Sequence, residues 1–391
     1  MRIVLVAMAN SIHTARWVAQ LPVDAWDVHV FSSTPSGESH PNLKGVTVHH
    51  LCHMRAGPGV QQRGIPVIGR RVAPLAETAL DRIVPSLRAR LLVRAIRKLR
   101  PDVVHSLEIQ HGGYLALRAR QILGDAFPTW LVTNWGNDIY HFGNDPAHAE
   151  RIREVLRLCN AYSCECARDE RLALEWGFTG RSFPPSPNTG GFDLERIGRM
   201  RRGPPSTRRL IMLKGYQGWA GRALVVLRAL EEVGPQLNGY RLCVYSASPE
   251  VANAASILSG RVGIPVEIFT YRDHMPHEEM LRRHGEARVS IGASVTDGVS
   301  TSFLEALVMG SFPVQSWTSC ANEWIVDGET GILISPEDPG EIAAAIRRAL
   351  EDDALVDTAA ARNWVTAKER LDGEQLARKA REMYEQLASR G

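Results

Sequence analysis

Residues 294 to 334 read SVTDGVSTSFLEALVMGSFPVQSWTSCANEWIVDGETGILI. The stretch follows the apolar run ARVSIGA (287 to 293) and contains a loop of small and hydroxyl residues, a helix-forming segment and Gly310. A second apolar run, FPVQS (312 to 316), comes next, then Glu323, the turn Asp327-Gly328 and a third run, GILIS (331 to 335). Short, continuously apolar runs mark strands buried on both faces, as in a parallel sheet covered by helices. Asp297 stands eight residues before Glu305 across the start of the helical segment. Two carboxylates and a set of backbone amides therefore sit where a strand hands over to a helix.

The same alternation extends in both directions. Upstream of the quoted stretch, RLIML (209 to 213), YRLCVYS (240 to 246) and VEIFTY (266 to 271) read as strands with helices between them. Further back, RIVLVA (2 to 7), DVHVF (27 to 31), VTVHH (46 to 50), DVVHS (102 to 106), TWLVTN (129 to 134) and AYSCE (161 to 165) form an earlier series. Between the two series lies GPPSTRR (203 to 209), whose Gly, paired prolines and polar residues have the composition of an exposed hinge. The expected fold is α/β: two doubly wound domains, 1 to 202 and 203 to 370, facing each other across a cleft at the carboxyl ends of their strands. From Pro339 onward nearly every residue favours a helix, and residues 371 to 391 are expected to pack back on the first domain.

Bulk composition narrows the function. At 391 residues the chain has room for two domains. Its 44% hydrophobic and 23% charged content is that of an ordinary globular protein. A net charge of +3, from 46 basic and 43 acidic side chains, argues against a nucleic-acid binder, which concentrates basic charge on one face. No apolar run approaches the ~20 residues needed to cross a bilayer, and the first residues carry no leader pattern, so a cytoplasmic location is expected. The six cysteines show no paired metal-ligand spacing and read as reduced, buried thiols.

The connecting loops exclude several chemistries. MANSIHTARW after the first strand has no G-x-G-x-x-G, and G-x-x-x-x-G-K-[ST], H-E-x-x-H and G-x-S-x-G are absent from the chain. Nicotinamide redox chemistry, P-loop hydrolysis, zinc proteolysis and serine hydrolysis all lose their usual signatures.

With those excluded, the quoted stretch resembles the E-x7-E region of retaining GT-B glycosyltransferases of family 4, the group 1 glycosyl transferases. PNTGGFD (187 to 193) and WGNDIY (135 to 140) resemble that family's P-N-G-x-D turn and G-x-D loop in the same order. The resemblance implies a metal-independent hexosyltransferase that takes a nucleotide-sugar, with UDP as the family's usual nucleotide, and passes the sugar to an acceptor it does not identify. The nucleotide-sugar is a substrate, and no cofactor is implied. Glu305 would hold the donor ribose, and Asp297 would face the transferred sugar. The backbone of Gly298, Val299, Ser300, Thr301 and Ser302 would meet phosphate or sugar oxygens, as helix N-termini do. LKGYQGWAGR (213 to 222) stands for the family's G-R-x4-K loop, with Lys214 and Arg222 as the cations on the leaving diphosphate. Asp297 in place of Glu, and GVSTS in place of GFGLP, depart from the family pattern and bear on the sugar pocket.

In the first domain, DVVHSLEIQHGGYLAL (102 to 117) places His105, Glu108 and His111 at a strand end. The resemblance calls for one active-site histidine here; His111, just before Gly112-Gly113, is favoured over His105. His13 and Asp138 are the acceptor-side candidates. Each has a plainer reading, as a helix-cap neighbour and a turn residue respectively, and Ser302 to Glu305 has the S-x-x-E spacing of a capping box.

Residues 53 to 100 are locally basic, with Arg55, Arg63, Arg70, Arg71, Arg82, Arg88, Arg90, Arg94, Arg97, Lys98 and Arg100 against Glu77 and Asp81. Within residues 82 to 100, Leu91, Leu92, Ala95, Ile96 and Leu99 form an apolar helical stripe. Such a helix either lies peripherally on the anionic inner face of a membrane, draws in a phosphorylated acceptor, or simply packs its stripe on the sheet with solvated arginines around it. Two other functions keep a place beside sugar transfer: a GT-B nucleotide-sugar epimerase or hydrolase, and an inactive sugar-binding partner subunit.

Overall fold

The computed structural model describes residues 1–54, 59–67, 72–273 and 275–389. The chain divides into two compact units, one of residues 1–191 with 374–391 and one of residues 192–373.

Among the described residues the first unit holds eight parallel strands. They are β1 (Arg2–Ala7), β2 (Asp27–Ser32), β3 (Val46–His53), β4 (Val60–Pro66), β5 (Val103–Leu107), β6 (Thr129–Thr133), β7 (Ala161–Ser163) and β8 (Arg181–Ser182), in the spatial order β4-β3-β2-β1-β5-β6-β7-β8. β1 explains the continuously apolar signal. Its Val4 and Val6 enter the core on one face of the sheet with Val104, Trp130 and Val132, whereas Ile3, Leu5 and Ala7 enter the core on the other with Val103 and Leu131. Helices cover both faces, so both sides of each central strand must be apolar. Two strands were not expected: β4, whose sequence VQQRGIP is polar and exposed at the sheet edge, and the two-residue β8.

The second unit holds six parallel strands, β9 (Leu210–Lys214), β10 (Arg241–Ala247), β11 (Val266–Thr270), β12 (Ala287–Gly292), β13 (Phe312–Ser316) and β14 (Ile332–Ile334), in the order β11-β10-β9-β12-β13-β14. Its core joins Ile211, Leu213, Val244, Val289, Ile291 and Val314 of the sheet to the helices Ala223–Val233 and Pro339–Glu351.

The chain enters the second unit at Phe192 and leaves it at Gly373, where the Phe192 amide donates to Leu371 O at 2.8 Å and the Gly373 amide to Phe192 O at 2.9 Å. The expected hinge at 203 to 209 is corrected by the structure, because that segment is built into the second unit. Arg208, buried, donates to the carbonyls of Gly203, Ala287 and Gly310 at 2.8 to 3.2 Å, and Ser206 binds Asp357 through its amide and its hydroxyl. The polar residues that suggested a solvated linker instead satisfy carbonyls at the amino ends of β12 and β13.

In the first unit, the carboxyl-terminal helix Gly373–Ala388 sets the Tyr384 hydroxyl between Trp17 Nε1 at 2.8 Å and His105 Nδ1 at 2.6 Å. Of the basic segment, Arg55, Arg70 and Arg71 lie outside the described residues. In the helix Leu87–Leu99, Ala89, Leu92, Val93 and Ile96 are buried in the core, and Leu91, Ala95 and Leu99 pack beside them. The stripe is therefore spent on the fold, as the packing alternative expected. Arg90, Arg94, Arg97 and Lys98 remain exposed. No helix among the described residues is long and apolar enough to cross a membrane. All six cysteines are buried free thiols.

Candidate active site

β9 ends at Lys214, and the next residue must come close to the neighbouring strand: a Cβ on Gly215 would lie 2.8 Å from Ala247 Cα. The chain leaves β9 tightly and projects Lys214 over the carboxyl end of the sheet. Its ammonium donates to Ser300 Oγ at 2.9 Å, lies 3.6 Å from Asp297 Oδ2 and sits 4.4 Å from the centre of the Tyr216 ring. Ser300 Oγ is in turn 2.9 Å from Ser302 Oγ. Asp297 accepts from the Gly298 amide at 3.0 Å, which braces its carboxylate at the turn before the helix.

Ser300, in extended conformation, stands at the N-cap position of the helix Thr301–Met309. Ser302 therefore lies inside the first turn, which rules out the capping box with Ser302 as its first member. Glu305, on the same helix, is buried, and its Oε1 is 2.8 Å from His277 Nε2 at the start of the helix His277–Glu286. Its charge also faces His284, fully buried and pushed down to about 4 by loss of solvent. A buried carboxylate presented near the first turn of a helix, with an exposed histidine on one oxygen, suits a ligand bearing adjacent hydroxyls.

Arg222 joins this site through its backbone. Its amide donates to Ala293 O at 2.9 Å, and the Val295 amide donates to Ala220 O at 3.1 Å, so the Gly218 to Arg222 loop is stitched to the loop after β12. The guanidinium itself is turned to Glu337 Oε1 at 2.6 Å and to the carbonyls of Gly218 and Gly221. Lys214, Asp297, Ser300 and Ser302 thus form one contact chain, and Arg222 borders it.

In the first unit the two histidines near the end of β5 differ in access and partners. His105 is fully buried on β5 between Tyr384 and Thr133, whose hydroxyl is 2.6 Å from Nε2, and burial pushes it down to about 3. It is a neutral core residue. His111 is more than half exposed, and its Nδ1 lies 3.1 Å from Glu108 Oε2. That hydrogen bond raises its pKa above the usual histidine value, with partial burial opposing. Glu108 holds an uncommon φ of 73°, and its carboxylate accepts from the amides of His111 and Gly112. A side chain on Gly112 would collide with the carbonyl of Val6, so the loop closes on the sheet at that one position.

Asp138 is buried, and its Oδ2 accepts from the amides of Trp135 and Ile109, both at 2.9 Å. Burial, with the Glu108 charge adding to it, pushes its pKa well above the carboxylate range. Its carboxylate ties two loops together from beneath and offers no open face. His13 stands at the start of the helix Ile12–Val18, with its ring edge against Trp135 at 5.1 Å between centres. Sequence reasoning gave no role to His277, Ser300 as the lysine's partner, Tyr216 or Glu108. Of these, only Glu108 carried a signal, the three-residue spacing to His111.

Two family profiles match the chain. Residues 209–352 match the one described as glycosyl transferases group 1, and residues 2–67 and 71–163 match glycosyl transferase 4-like; between them they cover more than three-quarters of the sequence. The chain is a GT-B glycosyltransferase. The two parallel sheets of this transferase are those of the GT-B fold. Sucrose-phosphate synthase from Thermosynechococcus elongatus superposes with a TM-score of 0.71 at 16% identity over 100% of both chains. HepE of Anabaena, solved with UDP-glucose, gives 0.68 at 12% identity over 99% of the transferase and 100% of HepE. Trehalose 6-phosphate synthase from Burkholderia multivorans gives 0.69 at 14% identity over 99% and 96%. A search of curated proteins with the sequence returns no match.

Proposed function

We propose that the transferase moves a sugar from a UDP-sugar to an acceptor with retention of anomeric configuration, and that the site at the carboxyl end of the second sheet binds the donor. The observation that carries this reading is the contact chain from Lys214 through Ser300 and Asp297 to the first turn of the Thr301–Met309 helix, with Glu305 buried on the same helix. Fixed cation, oriented hydroxyls and helix amides together suit a diphosphate, whose charge grows as the sugar–phosphate bond breaks. Glu305 would hold the ribose hydroxyls, and Asp297 would face the sugar.

In this reading the bond from the anomeric carbon to the phosphate oxygen breaks, and a bond to the acceptor oxygen forms on the same face. The acceptor's proton passes to the departing phosphate oxygen. Lys214 and Arg222 supply the positive charge, His111 orients groups, and no metal enters the scheme. UDP is favoured by the bound nucleotides of the HepE structures.

The test is a screen of UDP-, GDP- and ADP-sugars for protection against thermal unfolding, since a ligand at 100 times its dissociation constant adds about 2.7 kcal/mol. Protection by a UDP-sugar that is lost in Glu305→Gln supports the assignment. Protection by none of the three donor classes would sink it.

A further inference from the structure

A cavity of about 270 Å³ lies wholly within the first unit, at the carboxyl ends of β2 and β5. Its wall carries Arg88, Arg118, Arg151, His111 and Gln110, and Asp81 is its one carboxylate among the described residues. Asp81 is already matched: Arg88 donates to it at 2.8 Å, and Ser32 O and Glu77 fix the same guanidinium from behind at 3.0 and 3.5 Å. Arg118 donates to Pro85 O at 3.3 Å, and Arg151 lies 4.7 Å from the centre of the Tyr114 ring. The wall thus presents two guanidinium groups that no wall carboxylate neutralises, beside the His111 imidazole.

We propose that this cavity holds a phosphate monoester carried by the acceptor, with Arg118 and Arg151 as its recognition residues. The inference rests on the transferase reading for the word acceptor. Three features favour phosphate over a neutral sugar or a carboxylate. Guanidinium forks match phosphate oxygens in pairs. Two uncompensated cations match the charge of about −1.5 to −2 that a phosphate monoester carries at neutral pH. His111 is biased toward its protonated form by Glu108, which adds a third donor. The volume is at the small end for ligand pockets, which suits a headgroup rather than a whole glycan.

The full-length protein is titrated calorimetrically with glycerol 3-phosphate and glucose 6-phosphate, and with glycerol and glucose. The phosphate esters should bind and the neutral forms should not. Arg118→Gln and Arg151→Gln should each weaken binding by about tenfold or more, the ordinary worth of a charge-assisted hydrogen bond. Both positions are exposed, so folding tolerates the changes. Arg153→Gln, on the same helix as Arg151 but stacked on Trp176, should leave binding intact. Equal binding of neutral and phosphorylated forms, no binding of either ester or of phosphatidate vesicles, or unchanged affinity in both pocket variants would overturn the proposal. Capture by phosphatidate vesicles that is lost in Arg118→Gln and Arg151→Gln would support the proposal and place the phosphate on a lipid acceptor. UDP affinity, measured in parallel, reports on the donor site alone, so failure of one assignment leaves the other standing or falling on its own data.

Discussion

Replacing Lys214 by Met keeps an unbranched stem against Tyr216 and removes only the ammonium. That ammonium has three N–H donors. Ser300 takes one at 2.9 Å and Asp297, at 3.6 Å, orients a second, which leaves the third for a ligand oxygen. If that oxygen belongs to a diphosphate, the loss is one charge-assisted hydrogen bond, about 1.5 to 3 kcal/mol, or roughly 10- to 150-fold in affinity. The cost to stability should be small. The Asp297 side chain is 25% exposed and keeps the Gly298 amide, so it is left as a solvated carboxylate rather than a buried orphan. A pair of this kind contributes about 1 kcal/mol or less, about 2–4 °C for a unit of this size. Calorimetric titration with UDP, UMP and uridine measures the first quantity, and thermal melting the second. The expected pattern is a large loss for UDP, a smaller one for UMP and none for uridine, with near-native melting. Equal losses for UDP and uridine, or a thermal defect with UDP affinity intact, would refute the placement of a diphosphate against Lys214.

Arg208→Met should lower the stability of the second unit by about 3 kcal/mol or more, because three carbonyls lose their donor in a buried site; an unchanged thermal melt would show that residues 203 to 209 are not structural. Glu108→Gln should return the raised His111 pKa toward the ordinary histidine value, as followed by NMR titration. The pair stabilises the protonated imidazole, so its contribution is present at low pH and lost as pH rises through the folded-state pKa; a pKa that stays put in the variant would remove Glu108 as the cause. His105 and His284, held neutral by burial at about 3 and about 4, have the opposite sign. The unfolded chain takes up their protons first, so stability is complete above about pH 6.5 and falls by about 2 kcal/mol per histidine on reaching pH 5. Denaturant titrations at pH 7 and 5 that give equal stability would contradict this.

The fold was legible wherever burial on both faces demanded continuous apolar sequence. Ile3 to Ala7 and Val289 to Ile291 can satisfy two helical layers only as parallel strands, and that requirement is written locally. β4 was not, because an edge strand needs only backbone partners, and VQQRGIP has no apolar face to declare it. The donor-site candidates were half legible. Asp297, Ser300 and Glu305 lie close along the chain, and Lys214 was reached through the family's loop. His277, which touches Glu305 from 28 residues away, left no local trace.

Other readings turned on what surrounds a side chain. GPPSTRR has the composition of a solvated linker, and only its burial against Ala287, Gly310 and Asp357 makes it part of a domain. Leu92 and Ile96 have the spacing of a membrane-facing stripe, and only the sheet beneath them decides that the stripe is core. His105 and His111 stand six residues apart in sequence, where only the following Gly112-Gly113 favoured His111. One lies in a strand under a helix contributed by residues 373 to 388 and is kept neutral by burial, while the other follows a strained Glu108 and is left open with its proton favoured. Periodicity and local composition encode which elements form, because those depend on neighbours in the chain. Charge state, access and partnership depend on residues brought together from far apart, and only the tertiary structure decides them.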